Sequence, residues 1–220
     1  AETAFRIGGP CFLVHSFMIV VDVETTGVDD RIHSIVSIGA VDFADQERRF
    51  YGECRMWEGA QVEPEALRVN GFTMEQVIDP TKQTLEQLVG AFFAWAKISS
   101  DRTLMGHNTF FDHGFLKVSA ERYRMPWEFG HRIIDLHSVA WAHMVSHGVE
   151  IPIKYGLSSL RNDFLLQYVG LPAEPKPHNG LVGALMEAEA FSRLVYGKQF
   201  LPEYNEYPVP TFGAHQVGLF

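Results

Sequence analysis

Residues 17–23 constrain the fold more than any other part of the sequence. The segment is apolar and rich in β-branched residues, a composition typical of a strand that is buried on both faces. Two acids, Asp22 and Glu24, stand at its end. Residues two apart on a strand project to the same face, so the sequence predicts that the two carboxylates lie side by side. Such a pair costs stability at the end of a buried strand unless a cation neutralises it.

The carboxylate pair therefore favours a site for a divalent cation, because Mg²⁺ and Mn²⁺ prefer oxygen ligands. The alternative is a pair of solvated acids at the end of a strand. Asp22 and Glu24 alone do not decide between the two interpretations.

Strands and helices alternate along the rest of the chain. Further strands are predicted over residues 33–43, 48–55, 102–105 and 132–136, and the second of these is antiparallel to the first. Helices are predicted over residues 64–69, from Thr84 onward, and over 110–124, 137–147, 158–168 and 180–196. This order indicates an α/β domain with a mixed sheet. We expect an N-terminal extension over residues 1–17, the domain over 18–197, and an extended C-terminal tail over 198–220.

Two later segments add polar groups. Asp112 falls in the first turns of a predicted helix, where the helix dipole favours a carboxylate. The alternative is that Asn108 or Thr109 caps this helix and that Asp112 is an ordinary first-turn acid. His178 follows two prolines, before the last helix, and is a candidate general base, although a single histidine in a loop is more often a surface residue.

In this order, the three segments resemble the DEDDh 3′–5′ exonucleases, the DnaQ-like branch of the RNase H-like fold. The first motif is Asp-x-Glu-Thr-Thr-Gly at residues 22–27, followed by Ile-Val-Ser-Ile-Gly-Ala at 35–40. The second motif, Asn followed by an aromatic residue and Asp, is matched by Asn108, Phe111 and Asp112, and Asp135 resembles a recurring strand-end Asp. The resemblance covers residues 18–196 and implies a mixed five-stranded sheet flanked by helices.

The resemblance also implies the roles of individual residues. Asp22 would bridge two Mg²⁺ or Mn²⁺ ions, Glu24 would bind one, and Asp112 would help to hold the second. His178 would deprotonate the attacking water in a two-metal hydrolysis of a phosphodiester.

The substrate contacts are assigned on the same grounds. Thr25, Thr26 and Gly27 would lie beside the terminal nucleotide, and Asn108 of the second motif is placed with them. Phe111 and Phe72 are candidates for stacking on bases, with a place in the core as the alternative for each.

The resemblance does not extend to the fourth metal-binding acid of the family. The third motif of the family has His followed five positions later by Asp, but that position is Gly183 in this chain. Glu187 lies one helical turn further along the same face and is predicted to substitute in part, with Glu189 as the alternative. A site that lacks one carboxylate should bind a metal ion less tightly and turn over more slowly.

The sequence thus predicts a metal-dependent 3′–5′ exonuclease, weakened by Gly183, that acts on 3′ ends of single-stranded DNA or RNA. One alternative is a catalytically impaired nucleic-acid-binding or scaffold protein of the same fold. Another is a proofreading subunit that acts with a polymerase, with the Pro- and aromatic-rich tail as a docking segment. The tail can equally pack on its own domain or on a second copy in a homodimer, and the choice between DNA and RNA stays open.

Composition narrows the partners and the compartment. The chain carries 18 Lys and Arg against 27 Asp and Glu, a net charge of −9, which disfavours a broad basic surface for long nucleic acid. Cys11 and Cys54 have no metal-ligand spacing and are too few for a disulfide scaffold, so we expect a reducing, cytoplasmic compartment. The longest uncharged stretch, residues 7–21, is too short to span a membrane, and no membrane partner is expected.

Overall fold

The computed structural model describes residues 18–212, and five of its strands form one mixed sheet. The strands are β1 (Ile19–Thr25), β2 (Ile35–Asp42), β3 (Asp45–Glu53), β4 (Leu104–Gly106) and β5 (Ile134–Asp135). They are arranged in the order β3-β2-β1-β4-β5. β2 is antiparallel to β1 and β3, whereas β4 is parallel to β1 and β5 is parallel to β4. The predicted mixed five-stranded sheet is therefore confirmed.

Helices cover both faces of the sheet. They are α1 (Pro64–Asn70), α2 (Met74–Ile78), α3 (Leu85–Ala96), α4 (Thr109–Arg122), α5 (Leu136–Ser146), α6 (Asn162–Tyr168) and α7 (Gly180–Tyr196), followed by a 3₁₀ turn at Pro202–Tyr204. Thr84 and Gln87 form the capping box that begins α3, and Asn179 caps α7 by accepting hydrogen bonds from two backbone N–H groups. Among the described residues, no helix is long and apolar enough to cross a membrane.

Two local features differ from the sequence prediction. The helix expected over residues 158–168 begins only at Asn162, because a small hairpin of β6 (Ile153–Lys154) and β7 (Leu157–Ser158) takes the residues before it. Its turn has positive φ at Tyr155 and Gly156, a conformation that glycine favours. Helix α2 was not predicted, although its capping box is readable in the sequence at Thr73 and Gln76.

Strand β1 separates two apolar clusters. Ile19, Val21 and Val23 belong to the cluster that contains side chains of α3 and α4, whereas Val20 belongs to the cluster that contains side chains of α5, α6 and α7. By the two-residue period of a strand, Asp22 and Glu24 share the face of Val20, which is the face that α7 covers. The sheet therefore directs both acids towards α7.

Helix α7 begins in direct contact with the sheet because two glycines meet there. A Cβ on Gly39 of β2 would overlap the backbone of Gly180, and a Cβ on Gly180 would lie 2.6 Å from the backbone oxygen of Asp22. Gly39 is itself the register partner of Asp22. Any larger side chain would move the helix away, so this close approach places the first turns of α7 over Asp22.

The described part of the tail is not a free arm. In residues 198–212, the ring of Phe200 stacks on Phe43 at 4.3 Å, and the backbone oxygen of Tyr207 accepts a hydrogen bond of 2.8 Å from Arg193 in α7. The tail thus packs on its own domain, and this packing supports neither a homodimer nor a polymerase partner. The predicted N-terminal extension, with Cys11, and residues 213–220 lie outside the described residues.

Candidate active site

Five carboxylates from separate parts of the chain converge where α7 crosses β1. Asp22 and Glu24 come from β1, Asp112 from the first turn of α4, Glu174 from the loop before α7, and Glu187 from α7 itself. Four of them are almost fully buried, and Asp22 is partly buried. The structure therefore brings together the three acids that the first two motifs predicted and Glu187, the predicted substitute, and adds Glu174.

Asp112 is fixed to the strand beside it. Its Oδ1 accepts a hydrogen bond of 2.9 Å from the backbone N–H of Val23, between the two acids of β1. Asp112 is 4% exposed, so its carboxylate faces the cluster and not the solvent. The interpretation of Asp112 as an ordinary, solvent-exposed acid in the first turn of α4 is therefore wrong.

His178 lies at the edge of the same cluster and is partly exposed. Its Nδ1 is 3.7 Å from Oε2 of Glu174, and ligand atoms of Glu24, Glu174 and His178 all lie within 4.8 Å of one another. The backbone N–H of His178 donates to the carbonyl of Val69 in α1 at 3.1 Å, which holds the loop in place. The histidine is therefore held beside the carboxylates.

Burial of so many acids raises their pKa values. Burial raises the pKa of Asp22 to about 7, and burial together with the charges of Asp22 and Glu174 raises that of Glu24 to about 8. The pKa of Glu174 also rises to about 8, through burial and then through Asp22 and Asp163. For Asp112 and Glu187, burial and then the charge of Asp22 raise the pKa well above the ordinary value.

No lysine or arginine of the described residues balances the charge of this cluster. Within residues 18–212, none of the five carboxylates forms an ion pair with a lysine or an arginine. Oε1 of Glu174 and Oε2 of Glu187 are buried there without a hydrogen-bond partner. Buried oxygens of this kind are satisfied by a hard divalent cation, so the residues fit the predicted Mg²⁺ or Mn²⁺.

The two predicted substitutes for the missing acid differ in location. Glu187 lies in the cluster, where the backbone of His107 bonds its carboxylate. Glu189 lies outside it: Oε1 accepts from Nε of Arg193 at 2.6 Å, and Oε2 accepts from the backbone N–H groups of Phe200 and Leu201. The alternative assignment to Glu189 is therefore wrong, and that to Glu187 stays a prediction.

The turn after β1 holds the three residues predicted to meet the terminal nucleotide. The hydroxyl of Thr25 donates to the backbone oxygen of Gly27 at 2.7 Å. The hydroxyl of Thr26 donates to Gln61 O and accepts from Ser34 N, and Thr26 is fully buried. These bonds shape the turn, and the nucleotide contacts of Thr25, Thr26 and Gly27 stay predictions.

The two predicted stacking residues pack within the protein. The ring of Phe111 is 4.7 Å from that of Phe115, in the cluster between α3, α4 and the sheet. Phe72 packs against a small cluster that includes Val36, and the ammonium of Lys82 lies 4.9 Å from its ring. Both positions agree with the alternative of a core role.

Asn108 and Asp135 have different environments at the start of α4. Asn108 is exposed, has a φ of 62°, and makes no side-chain capping bond. Asp135 caps two helices instead, because its Oδ2 accepts from Thr109 N and its Oδ1 from His137 N. Asp135 therefore joins the starts of α4 and α5, and a substrate contact of Asn108 stays a prediction.

A cavity of about 660 Å³ lies next to the cluster. It is shared by the start of α4 and the hairpin β6–β7, and its lining includes His107, Asn108, Lys154, Tyr155 and Arg161. Since the backbone of His107 also bonds Glu187, the cavity and the acidic cluster have a common wall. This cavity was not predicted from the sequence, because the hairpin that forms one of its walls was not predicted.

Glu174 was not predicted from the sequence either. The residue belongs to no motif, and an acid four positions before His178 in a loop has no fixed spatial relation to the histidine. The position of its side chain depends on the path that the loop of residues 170–179 takes back to the sheet. Phe110, 76% exposed beside Asn108, was likewise not singled out.

The chain is similar to known nucleases. Residues 19–191 match the RNase T exonuclease family. Ribonuclease T of Yersinia pseudotuberculosis is 26% identical over 210 residues, which cover 89% of this chain and 90% of that protein. With Ribonuclease T of Haemophilus influenzae the identity is 24%, over 48% of this chain and 52% of that protein, so there the chain spans about half the length of its relative.

Solved structures give the same fold. The nuclease domain of 3′hExo, a DEDDh family member bound to rAMP, superposes with a TM-score of 0.62 over 90% of this chain and 97% of that domain, at 16% identity. Because the family match extends over most of the chain and includes all five clustered carboxylates, the chain belongs to the RNase T exonuclease family.

Proposed function

We propose that this protein is a divalent-metal-dependent 3′–5′ exonuclease that hydrolyses phosphodiester bonds at the 3′ ends of single-stranded nucleic acid. One observation carries the proposal: within residues 18–212, buried carboxylates that pair with no lysine or arginine, two of them with an unpartnered oxygen, lie beside a partly exposed histidine. Relatives named Ribonuclease T and a neighbour bound to rAMP favour RNA as the first substrate to test. DNA is the comparison substrate.

Asp22, Glu24 and Asp112 are the metal-binding residues in this proposal, and Glu187 adds a fourth negative charge beside Asp22 and Asp112. Two ions would supply Lewis-acid stabilisation of the phosphodiester and would lower the pKa of a bound water. The protein contributes the fixed positions of these oxygens. The hydrogen bond from Val23 to Asp112 keeps the first turn of α4 against β1.

His178 is the proton acceptor in this proposal. Burial lowers its pKa below the ordinary value, so the ring is neutral at pH 7 and can accept a proton from the attacking water. Nδ1 faces Glu174, which leaves Nε2 for that proton.

The cavity beside the cluster is the proposed path of the next nucleotides. Asn108 is an exposed residue of its lining, and Lys154 and Arg161 bring two positive charges to a chain of net charge −9. Few cations mean few phosphate contacts, so we expect a short footprint and a shallow salt dependence of binding.

The test is digestion of 5′-labelled single-stranded RNA and DNA with Mn²⁺, Mg²⁺ or EDTA. We expect stepwise shortening from the 3′ end with either metal, release of nucleoside monophosphates, and no reaction in EDTA. Asp22→Asn should lower the rate of cleavage by more than about 100-fold, because it removes a proposed metal ligand and not a residue that only contacts a ligand.

Gly183 favours one further candidate, a nucleic-acid-binding protein that has lost catalysis. Binding of the labelled strand without shortening in Mn²⁺ would support that candidate and would contradict the exonuclease proposal. Internal cuts would contradict the proposed 3′–5′ direction.

A further inference from the structure

Gly183 stands one turn into α7, directly opposite Asp22. A Cβ at this position would overlap Oδ2 of Asp22 and would lie 3.4 Å from Oε1 of Glu174. A side chain on residue 183 would therefore enter the space that these two carboxylates share. The absence of that side chain is what allows the two carboxylates to occupy the space.

Glu174 enters this space from the loop before the helix. It is 8% exposed, its Oε2 is 3.7 Å from Nδ1 of His178, and its Oε1 has no hydrogen-bond partner within the described residues. Its ligand atoms also lie within 4.8 Å of those of Glu24. A buried glutamate with an unpartnered oxygen beside other acids destabilises the metal-free fold, so a purely structural role does not account for it.

We propose that Glu174 supplies, from the loop, the metal-binding carboxylate that Gly183 lacks. The inference rests on the proposed function, because it concerns the same metal site. The carboxylate that the family has at position 183 of the helix would then come from residue 174 of the loop, and the number of carboxylates at the metal site would be unchanged.

Glu187 is less suited to this role. Its Oε2 lies against β4, 3.3 Å from where a Cβ on Gly106 would be. Glu174 is instead adjacent to Gly183 and His178, the two residues that correspond to the third motif. Of these two glutamates, Glu174 is the one that is close both to position 183 and to the histidine.

The first experiment measures Mn²⁺ binding by the full chain, from the electron paramagnetic resonance signal of free Mn²⁺. Glu174→Gln keeps the size of the side chain and removes its charge. We expect it to weaken at least one Mn²⁺ by about tenfold or more. The melting temperature without metal should stay or rise, because a buried charge is removed. Glu121→Gln, an exposed glutamate on α4, is the matched control and should bind Mn²⁺ like the wild type.

The second experiment is a double-mutant cycle with Gly183→Asp. If a carboxylate on residue 183 and that of Glu174 serve the same ion, Gly183→Asp should increase Mn²⁺ affinity more in the Glu174→Gln background than in the wild type. An equal change in both backgrounds would overturn the inference, because the two positions would then act independently.

Three other results would overturn it. The first is wild-type Mn²⁺ affinity in Glu174→Gln. The second is an effect of Glu174→Gln confined to the pH profile of cleavage, which would make Glu174 a positioning residue for His178. The third is a tenfold loss in Glu187→Gln with none in Glu174→Gln. A wild-type protein that binds no Mn²⁺ would instead contradict the proposed function itself.

Discussion

Helix α7 carries two buried glutamates, two residues apart, in opposite electrostatic situations. Glu189 pairs with Arg193, both fully buried, and its two oxygens accept from that guanidinium and from two backbone N–H groups. Glu187 faces other acids, and its Oε2 has no partner within the described residues. The first glutamate is satisfied by the fold, and the second is not.

The partners of the two glutamates distinguish a charge that stabilises the fold from a charge that can bind a metal ion. Arg193 completes its own set of bonds on the carbonyls of Val169 and Tyr207, so the Glu189–Arg193 pair fixes the tail to the helix. The acidic cluster stores unfavourable energy that a bound cation would relieve. Burial alone does not distinguish the two regions; the presence or absence of a partner does.

The largest effect is expected from breaking the satisfied pair. Arg193→Met leaves Glu189 buried without its cation and should lower the free energy of unfolding by about 3–5 kcal/mol, measured by urea denaturation. Arg102→Met, at the surface pair with Glu128, is the matched control and should cost less than about 1 kcal/mol. Equal losses would remove the contrast between buried and surface pairs.

A smaller effect of opposite sign is expected in the cluster. Glu187→Gln removes a charge that has no counter-ion, so the metal-free protein should gain about 1 kcal/mol of unfolding free energy at pH 8, and added Mn²⁺ should stabilise it less than the wild type. Glu189→Gln on the same helix should lose stability with or without Mn²⁺. A loss of metal-free stability in Glu187→Gln would contradict the account of the cluster.

The last prediction concerns a histidine outside both regions. Burial, and then the neighbouring His147, lower the pKa of His143 to about 4. Folding therefore favours the neutral form of this histidine. Its contribution to the free energy of unfolding is complete above the unfolded pKa of about 6.5 and is lost as the pH falls towards 4. Between pH 7.5 and 5, His143→Gln should lose less unfolding free energy than the wild type. A parallel pH dependence of the two would show that His143 does not contribute.

The sequence was sufficient where local patterns determine the structure. The apolar run of β1 with Asp22 and Glu24 at its end predicted the strand and the shared face of the two acids. The bounds of α7 were also predicted correctly, because the capping Asn179 and the left-handed Gly197 mark its two ends.

It was insufficient where position depends on tertiary packing. Glu174 has no local signal, and its role becomes visible only when its loop meets Gly183 and His178. The described tail packs on the domain through Arg193 and Phe43, which lie far from each other in the sequence. The hairpin at residues 153–158 is too short for a periodicity to reveal it.

The most direct test of the metal site is anomalous diffraction from crystals grown with Mn²⁺ and a nucleoside monophosphate. We expect two manganese peaks among Asp22, Glu24 and Asp112, with Glu174 as a ligand of one. A map without peaks there, or with a lysine or arginine filling the space between these carboxylates, would contradict this expectation.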